Sequence, residues 1–390
     1  MGAGSTLLNL FDTYPAELLL LCSPRELLDA SPPAPPFDER VLPFSGRYSP
    51  LLKNRVGRLV NPLVDALNLQ LLDALPVPQK KRLEEFDPEV VLVCPITAAC
   101  LLMGHKLTSY LPCPSLIYFM DDWVSPQSSR WATGSAYGLT YQLLKRAAGW
   151  LMISKRLEGI LSDRYRLTPK ASLIVHNPVD MSGKNVNAEP LQRDAFKVAY
   201  AGSVWPMHYD ALAIMAEAIS QLRADGVNIE LVLYTSDAFW DRYKEKWQLW
   251  DVRYGSYIPP QDLDRHLKDA DLLLVVSSFL PEHAPFTRSS VQTKLTDYMA
   301  AGRPILSFGP TYSACNRFIE EWGCGVVCET SRIAEVKEFL LGQMGRRGAN
   351  QKRAKLAFEV LRNNFEKGSV CSRLHGFIRD VALSHKGYSS

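Results

Sequence analysis

Length, composition and charge limit the classes of protein to which this sequence can belong. The chain has 390 residues, more than one ordinary domain holds, and its 44 basic and 41 acidic side chains leave a net charge of +3. The charges are mixed, without the basic domain or patch that binds nucleic acid. No apolar run approaches the roughly 18 residues that span a bilayer, and the N-terminus lacks the features of a signal peptide. The sequence therefore predicts a two-domain cytoplasmic protein with no nucleic-acid partner.

The eight cysteines predict buried thiols in a reducing compartment. Several lie in apolar runs, as Cys94 does after Val-Val-Leu-Val, and such cysteines are usually small buried hydrophobes. The spacing of Cys324 and Cys328 is unlike that of the common zinc knuckle, and no pair of histidines follows them. We therefore expect no metal site.

The chain begins with a glycine-rich segment. Gly2, Gly4 and Ser5 precede an apolar stretch that predicts a helix. A glycine-rich loop that opens a helix presents backbone N–H groups to an anion. Such a loop normally follows a strand, and none precedes this one, so we expect either that the reading frame begins upstream or that the first sheet has an incomplete edge. The alternative is a frayed N-terminus.

Short apolar runs alternate with helical patterns in the first half of the chain. The apolar, β-branched runs predict buried strands. They are Leu18–Cys22, Glu89–Cys94, Ser115–Met120, Trp150–Ser154 and Ser172–His176. A proline-rich connector lies at 31–36. The amphipathic stretch 51–75 carries Lys53, Arg55 and Arg58 near its start, so it is either a packed surface helix or a helix that lies on an anionic membrane surface.

A polar segment at 181–196 is the candidate linker, and the alternation restarts after it. The second half has predicted strands at Lys197–Gly202, Ile229–Tyr234, Asp271–Val276, Pro304–Ser307 and Gly325–Cys328, and predicted helices at Asp210–Ala224, Pro260–Ala270 and Lys294–Ala301. Strands that alternate with helices form parallel sheets covered on both faces. The sequence thus predicts the α/β class, with two Rossmann-like doubly wound domains facing a central cleft.

Ligands of doubly wound sheets bind outside the carboxyl ends of the strands. This rule selects the loops Gly2–Ser5, Asp121–Trp123, Gly202–His208 and Glu282–Thr293. Asp121 and Asp122 are candidates for the general base that takes a proton from a hydroxyl group, or for turn and cap residues. Trp123 would stack on a sugar or lie in the core. His208 would contact a phosphate or a sugar, or have a structural role.

The last loop leads into the predicted helix 294–301. Thr293 is a candidate N-cap, and Lys294 and Asp297 share one helix face. Lys294 and the positive end of the helix would hold a diphosphate, with Arg288 as a second cation. Asp297 would accept hydrogen bonds from ribose hydroxyls, as acidic residues do in dinucleotide sites. The alternative is a solvated helix start with a surface ion pair.

The string Thr-Lys-Leu-Thr-Asp-Tyr-Met-Ala-Ala-Gly-Arg-Pro-Ile-Leu at 293–306 resembles the nucleotide-sugar-binding helix of GT-B glycosyltransferases, particularly the family 4-like members of bacterial surface-polysaccharide pathways. Further similar segments follow the family's order, at 2–10, 176–180, 198–203 and 269–274. The resemblance implies GT-B architecture and a nucleotide sugar as substrate, without a metal or other cofactor. It also places Gly202 and Ser203 in the donor site and Gly2, Gly4 and Ser5 in an acceptor or phosphate loop.

The same resemblance assigns a different function to each part of the chain. Residues 1–185 would bind the acceptor, with the first strand missing, residues 186–360 would bind the nucleotide sugar, and residues 361–390 would pack back on the first domain. The implied activity is a metal-independent transfer of a hexosyl group to the hydroxyl group of a glycan or lipid-linked acceptor, with retention of configuration, in surface polysaccharide or glycan biosynthesis. The implied place is the cytoplasm, or the inner face of a membrane as a peripheral protein.

Two parts of the chain depart from the family's pattern. The common pattern has two glutamates eight residues apart, where this chain has Ser289 and Asp297. The family also supplies an arginine and a lysine to the diphosphate, where this chain has Ser203 and His208. Lys294 and the helix N-terminus would then have to bind most of the negative charge of the diphosphate. These departures keep two alternatives open, a non-catalytic nucleotide-sugar-binding protein on the same fold and a sugar-nucleotide 2-epimerase.

Overall fold

The computed structural model describes residues 3–30, 41–44, 75–124, 132–186 and 194–388. The chain folds into two compact units. The first contains Met1–Pro178 and Lys367–Ser390, and the second contains Val179–Glu366. The chain passes between the units a few residues from the boundaries predicted at 185 and 360. The assignment of acceptor binding to the first domain and donor binding to the second stays a prediction.

The first unit is built on short parallel strands. They are β1 (Leu21–Pro24), β2 (Val41–Phe44), β3 (Val91–Val93), β4 (Ser115–Phe119), β5 (Gly149–Met152) and β6 (Ser172–Ile174). β1 pairs with β2, and a second sheet has the order β3-β4-β5-β6. The helices are α1 (Ala3–Phe11), α2 (Arg25–Ala30), α3 (Val77–Phe86), α4 (Ala98–Tyr110), α5 (Ala132–Arg146) and α6 (Lys155–Tyr165).

The sequence explains why these elements begin and end where they do. Every residue of β4 and β5 is buried, as expected of parallel strands covered by helices on both faces. The Ser154 side chain accepts a hydrogen bond from the Leu157 N–H and caps α6, which ends at Arg166 in the left-handed conformation. Thr97 caps α4 in the same way. These caps hold helices that follow the carboxyl ends of β5 and β3.

The second unit has one six-stranded parallel sheet. Its strands are β7 (Phe196–Ala201), β8 (Ile229–Tyr234), β9 (Arg253–Tyr254), β10 (Leu272–Val276), β11 (Ile305–Phe308) and β12 (Val326–Cys328). Its helices are α7 (Pro206–Ala224), α8 (Asp237–Asp241), α9 (Lys244–Leu249), α10 (Pro260–Lys268), α11 (Ala284–Ser289), α12 (Lys294–Ala301), α13 (Ala314–Trp322), α14 (Ile333–Gly345) and α15 (Arg347–Asn364).

The strand order of this sheet is β12-β11-β10-β7-β8-β9. Counted from β7 as the first strand, this is the doubly wound Rossmann order, in which the chain reverses direction across the sheet between its first and fourth strands. Separate apolar clusters cover the two faces, one around Leu231 and Leu272 and the other around Leu273 and Tyr298. The predicted α/β class with parallel-sheet, Rossmann-like domains is confirmed.

Helix α12 has the bounds that the sequence predicts. It ends because Gly302 adopts a φ of 63°, which favours glycine. A Cβ atom at Gly302 would also lie 2.8 Å from the Val186 side chain. The Tyr298 hydroxyl accepts a hydrogen bond of 2.8 Å from the Ala201 N–H. The helix is therefore fixed against the carboxyl end of β7.

The last helix, α16 (Lys367–Tyr388), belongs to the first unit and packs against α1. His375 Nε2 lies 2.9 Å from the Leu10 carbonyl oxygen, and Lys367 forms an ion pair with Asp12. The C-terminal segment thus completes one apolar face of the four-stranded sheet, because Leu374 packs in the same cluster as Leu116.

Some predicted elements lie outside the described residues, namely the proline-rich connector at 31–36, nearly all of the stretch 51–75, and Gly2. Gly4 and Ser5 lie inside α1, so the segment predicted as a loop is helical from Ala3 onward. None of the helices in the described part of the chain combines the length and apolar composition that a bilayer crossing requires.

Candidate functional site

The strand order of the second unit locates its candidate site. β7 and β10 are parallel neighbours, and the order in which strands are added to the sheet reverses between them. Ligands of such sheets bind at this point, outside the carboxyl ends of the strands. The loop 202–208 follows β7, and the segment 277–293 follows β10 and leads into α12. Two of the loops selected from the sequence therefore meet at one edge of the sheet.

Gly202 lets α12 approach the end of β7 closely. Its φ is 135°, a conformation that other residues rarely adopt. A Cβ atom at this position would lie 3.0 Å from Lys294 Nζ. The structure thus brings together two predicted donor-site residues, and a side chain at position 202 would require the amine to shift.

The amine of Lys294 is buried and unsatisfied. Its Nζ has no hydrogen-bond partner in the described part of the chain and lies 3.7 Å from the centroid of the Tyr200 ring. Burial lowers the pKa of Lys294 to about 7, against the opposing effects of Cys315 and Asp297. A buried donor without an acceptor is costly, so this geometry favours an anionic ligand that would accept its N–H bonds.

Asp297 lies one turn further along α12. Its side chain is exposed to solvent. Desolvation by the surrounding protein nevertheless raises the pKa of its carboxyl group to about 6, and the positive charges of Lys184 and Lys294 oppose this shift. Thr293 occupies the N-cap position of α12 but makes no capping hydrogen bond with its side chain. Thr293 thus stands at the predicted position without the side-chain bond of a typical cap, and the start of α12 keeps N–H groups that no cap side chain satisfies.

His208 lies in the first turn of α7. Its Nδ1 is 3.0 Å from the Ser203 carbonyl oxygen, so the hydrogen-bond pattern assigns the proton to Nδ1 and leaves the lone pair on Nε2. Burial, and secondly the charge of Lys294, lower the pKa of His208 to about 3. His208 is therefore neutral at physiological pH and supplies no positive charge at the place where the family pattern has a lysine.

Two predicted positions lie on α11. Ser289 is fully buried, and its hydroxyl donates a hydrogen bond of 2.9 Å to the Pro285 carbonyl. Arg288 is exposed, and its guanidinium lies 4.7 Å from the centroid of the Tyr312 ring. Ser289 thus has a local structural role within its helix. The role of Arg288 as a second cation for a diphosphate stays a prediction.

Sequence analysis missed Tyr200 and Gln292. Tyr200 contacts both Lys294 and the loop 202–208, whereas its pattern in β7 is that of an ordinary core tyrosine. The Gln292 amide donates a hydrogen bond of 2.5 Å to the Val276 carbonyl, and its Oε1 is buried without a partner in the described structure. No local signal distinguishes either residue, because both contacts depend on the tertiary fold.

The first unit places Asp122 in an ion pair. Both of its carboxylate oxygens accept hydrogen bonds from Arg164, at 2.6 and 2.5 Å, and the carboxylate is buried. A bidentate pair of this kind occupies both carboxylate oxygens and fixes their orientation toward the arginine. The structure therefore gives Asp122 a structural role instead of the expected general-base role. Asp121 is exposed after β4 and stays a candidate base.

Replacing Asp122 with asparagine is expected to destabilise the first unit by about 2 kcal/mol, because the change leaves the partly buried Arg164 without its partner. The exposed neighbour offers a matched control, and Asp121→Asn should change stability by less than about 0.5 kcal/mol. Thermal unfolding of the two variants measures the difference. Equal melting temperatures would contradict the structural role of Asp122.

Trp123 also has a structural role. Its indole N–H donates a hydrogen bond to the Pro95 carbonyl, and its ring packs in the core of the first unit. Stacking on a sugar is therefore not its role in this structure.

The start of α1 lies at the carboxyl edge of this sheet. At the end of β6, Thr6 of α1 donates a hydrogen bond of 3.1 Å to Asn177.

Comparison with known proteins agrees with these features. The family model for glycosyl transferases group 1 matches residues 195–342, which cover most of the second unit. No curated protein matches the sequence.

Cysteine, histidine and acidic side chains do not form a group of three or more able to hold a metal ion within the described residues, and metal independence stays a prediction.

Solved structures resemble the whole chain. Alr3699/HepE from Anabaena, solved with UDP, has a TM-score of 0.66 at 12% identity and covers 97% of this chain and 96% of its own. A glycosyltransferase from Rickettsia africae has a TM-score of 0.66 at 10% identity, covering 97% and 95%. Sucrose-phosphate synthase from Thermosynechococcus elongatus has a TM-score of 0.63 at 12% identity, covering 88% and 84%. The second unit thus matches the family model for glycosyl transferases group 1, and the chain has the fold of the GT-B glycosyltransferases.

Proposed function

We propose that this protein transfers a sugar from a nucleoside diphosphate sugar to a hydroxyl group of an acceptor. The observation that carries the proposal is the buried, unpartnered amine of Lys294 at the reversal point of the second sheet. The oxygens of a diphosphate would accept its N–H bonds, and the start of α12 would add the partial charge of its backbone. Asp297, on the same face of α12, would bind the ribose hydroxyls.

We propose UDP as the nucleotide, since HepE from Anabaena was solved with UDP and with UDP-glucose. The chemistry of transfer requires that the charge developing on the leaving diphosphate be offset. Lys294 would offset it as an ammonium group, and a metal ion would then not be required. Retention of configuration, a hexosyl donor and the family 4-like subtype belong to the same proposal.

The first unit would bind the acceptor. Asp121 follows β4, and α1 reaches the same carboxyl edge of the sheet through the Thr6–Asn177 contact. A base must lie within hydrogen-bond reach of the hydroxyl from which it takes a proton, and Asp121 is our candidate. We propose a glycan or lipid-linked acceptor in surface polysaccharide or glycan biosynthesis, and a cytoplasmic protein that lies at the inner face of the membrane.

Two observations favour a second function, a protein that binds the nucleotide sugar without transferring it. Ser289 is fully buried where the family pattern has a glutamate, and His208 is neutral where it has a lysine. Both changes remove charged groups from the donor site. A donor-binding protein would keep Lys294 and Asp297 and lose turnover.

A panel of nucleoside diphosphates and their sugars tests the proposal. We expect UDP and a UDP-sugar to bind, as measured by calorimetry, and the UDP-sugar to be hydrolysed or transferred to added acceptors, as measured by release of UDP. Binding without release of UDP would support the non-catalytic protein, and recovery of an isomerised donor would support the 2-epimerase. Absence of binding across the panel would contradict the proposed donor site.

A further inference from the structure

Tyr200 connects three parts of the candidate donor site. It is the last residue but one of β7, and its side chain is fully buried. Its hydroxyl donates a hydrogen bond of 2.8 Å to the Ser203 carbonyl and lies 3.2 Å from His208 Nδ1. Its ring lies 3.7 Å below Lys294 Nζ. One side chain therefore contacts the amine, the loop 202–208 and the first turn of α7.

The hydroxyl fixes the path of the loop. The Ser203 carbonyl receives hydrogen bonds from both Tyr200 and His208. Because a peptide group is planar, holding this carbonyl also holds the orientation of the peptide that joins Ser203 to Val204. The side chain of Val204 is fully buried. The loop that follows β7 is thus held at two points, by the hydroxyl of Tyr200 and by its own buried residue Val204, which packs in the same apolar cluster as Tyr200.

The ring determines where the amine lies. An ammonium group over the face of a buried aromatic ring gains electrostatic energy that offsets part of the penalty of burial. Lys294 has no hydrogen bond that would hold it elsewhere in the described structure, and the lack of a side chain at Gly202 leaves space next to the amine. The ring face and the glycine therefore define one position for the amine, beside the start of the loop.

We propose that Tyr200 is a positioning residue of the donor site, which aligns the Lys294 amine through its ring and the loop 202–208 through its hydroxyl so that both contact the same diphosphate. This inference rests on the proposed function of the site. It assigns no chemical step to Tyr200 itself. It implies that the residue acts on the diphosphate part of the donor and leaves recognition of the nucleoside unchanged.

Tyr200→Phe separates the two roles, because it removes the hydroxyl and keeps the ring. We expect the affinity for UDP to fall about tenfold, as the loss of one hydrogen bond that orders a binding loop, with the affinity for uridine unchanged. Calorimetry measures UDP, and ligand-observed NMR measures uridine. Tyr234→Phe is the matched control. Tyr234 ends the neighbouring strand β8, is buried, and accepts a hydrogen bond of 2.9 Å from Lys197, and its variant should bind UDP like the wild type.

A second variant keeps the test decisive if Tyr200→Phe folds poorly. His208→Leu removes the other hydrogen bond to the Ser203 carbonyl from a less buried position, and we expect the same selective loss of UDP affinity. UDP affinity equal to that of the wild type in a folded variant would overturn the role of Tyr200, and so would equal losses for UDP and uridine. If the wild type binds no member of the nucleotide panel, the proposed function itself fails, and the role of Tyr200 fails with it.

Discussion

Replacing Lys294 with methionine is expected to weaken the binding of UDP about a hundredfold. Hydrogen bonds to a charged group contribute about 1.5–3 kcal/mol, and each 1.4 kcal/mol corresponds to a tenfold change in affinity. The donor site has few other charges to compensate, since Ser203 stands where the family pattern has an arginine and His208 is neutral. Calorimetric titration with UDP measures the effect.

The same substitution should leave stability unchanged or raise it. The Lys294 amine is buried without a hydrogen-bond partner in the described structure, and methionine fills a similar volume without a polar group to desolvate. A binding defect together with an equal or higher melting temperature would separate a ligand-binding lysine from a structural one. Binding of UDP within twofold of the wild type would contradict the assignment of the donor site.

Lys337→Met is the matched control. Lys337 lies on α14 and forms an ion pair of 2.7 Å with Asp225, near the amino end of β8. Its removal takes away at least as much positive charge as Lys294→Met, because the Lys294 amine, with a pKa of about 7, is only partly charged near neutral pH. UDP affinity should stay at the wild-type value, because the loss of one remote surface charge is screened by salt. A similar decrease in both variants would indicate a general electrostatic effect instead of a specific contact.

The sequence predicted much of the second unit because its signals are local. The bounds of β8 and α12 are those predicted, since a buried parallel strand and a helix ended by glycine depend on residues close together in the chain. The face shared by Lys294 and Asp297 follows from helix geometry alone. The placement of that pair at a ligand-binding edge follows from the order of strands and helices.

The features that the sequence did not predict depend on partners distant along the chain. Arg164 lies 42 residues from Asp122, so nothing near Asp122 indicated that both of its oxygens are bound. The ring of Tyr200 meets an amine from α12 only after β7 and β10 pair. The neutral state of His208 results from burial, to which the composition of the loop gives no guide. Ionisation is the property least accessible from sequence because it depends on the surrounding protein.

The affinity for UDP-glucose is expected to be greatest between about pH 6 and pH 7. On the alkaline side, the pKa of Lys294 is about 7 in the protein without ligand. Only the ammonium form attracts the diphosphate, so each pH unit above 7 should lower the affinity up to tenfold. On the acidic side, the pKa of Asp297 is about 6. Protonation below that value removes a charged acceptor for the ribose hydroxyls, so affinity should fall again.

Two other titratable groups near Lys294, His208 and Cys315, do not produce this profile. The low pKa of His208, about 3, keeps its ring neutral throughout the range. Burial raises the pKa of the Cys315 thiol, which therefore stays protonated. UDP-glucose is preferred to UDP as the probe, because its diphosphate is esterified at both ends and lacks the terminal phosphate ionisation near pH 6. The alkaline decrease thus reports on Lys294 and the acidic decrease on Asp297.

Two variants assign the limbs of the profile, measured by calorimetry from pH 5 to pH 9. Lys294→Met should abolish the alkaline decrease, and Asp297→Asn should abolish the acidic one, each leaving the opposite limb in place. At alkaline pH the wild type should also take up close to one proton per UDP-glucose bound, which is seen as a dependence of the binding enthalpy on the ionisation enthalpy of the buffer. An alkaline decrease that persists in Lys294→Met would show that another group binds the diphosphate. A flat wild-type profile would show that the Lys294 amine is already fully charged before the donor binds, with the Tyr200 ring and the negative charge of Asp297 sufficient to hold it in that form.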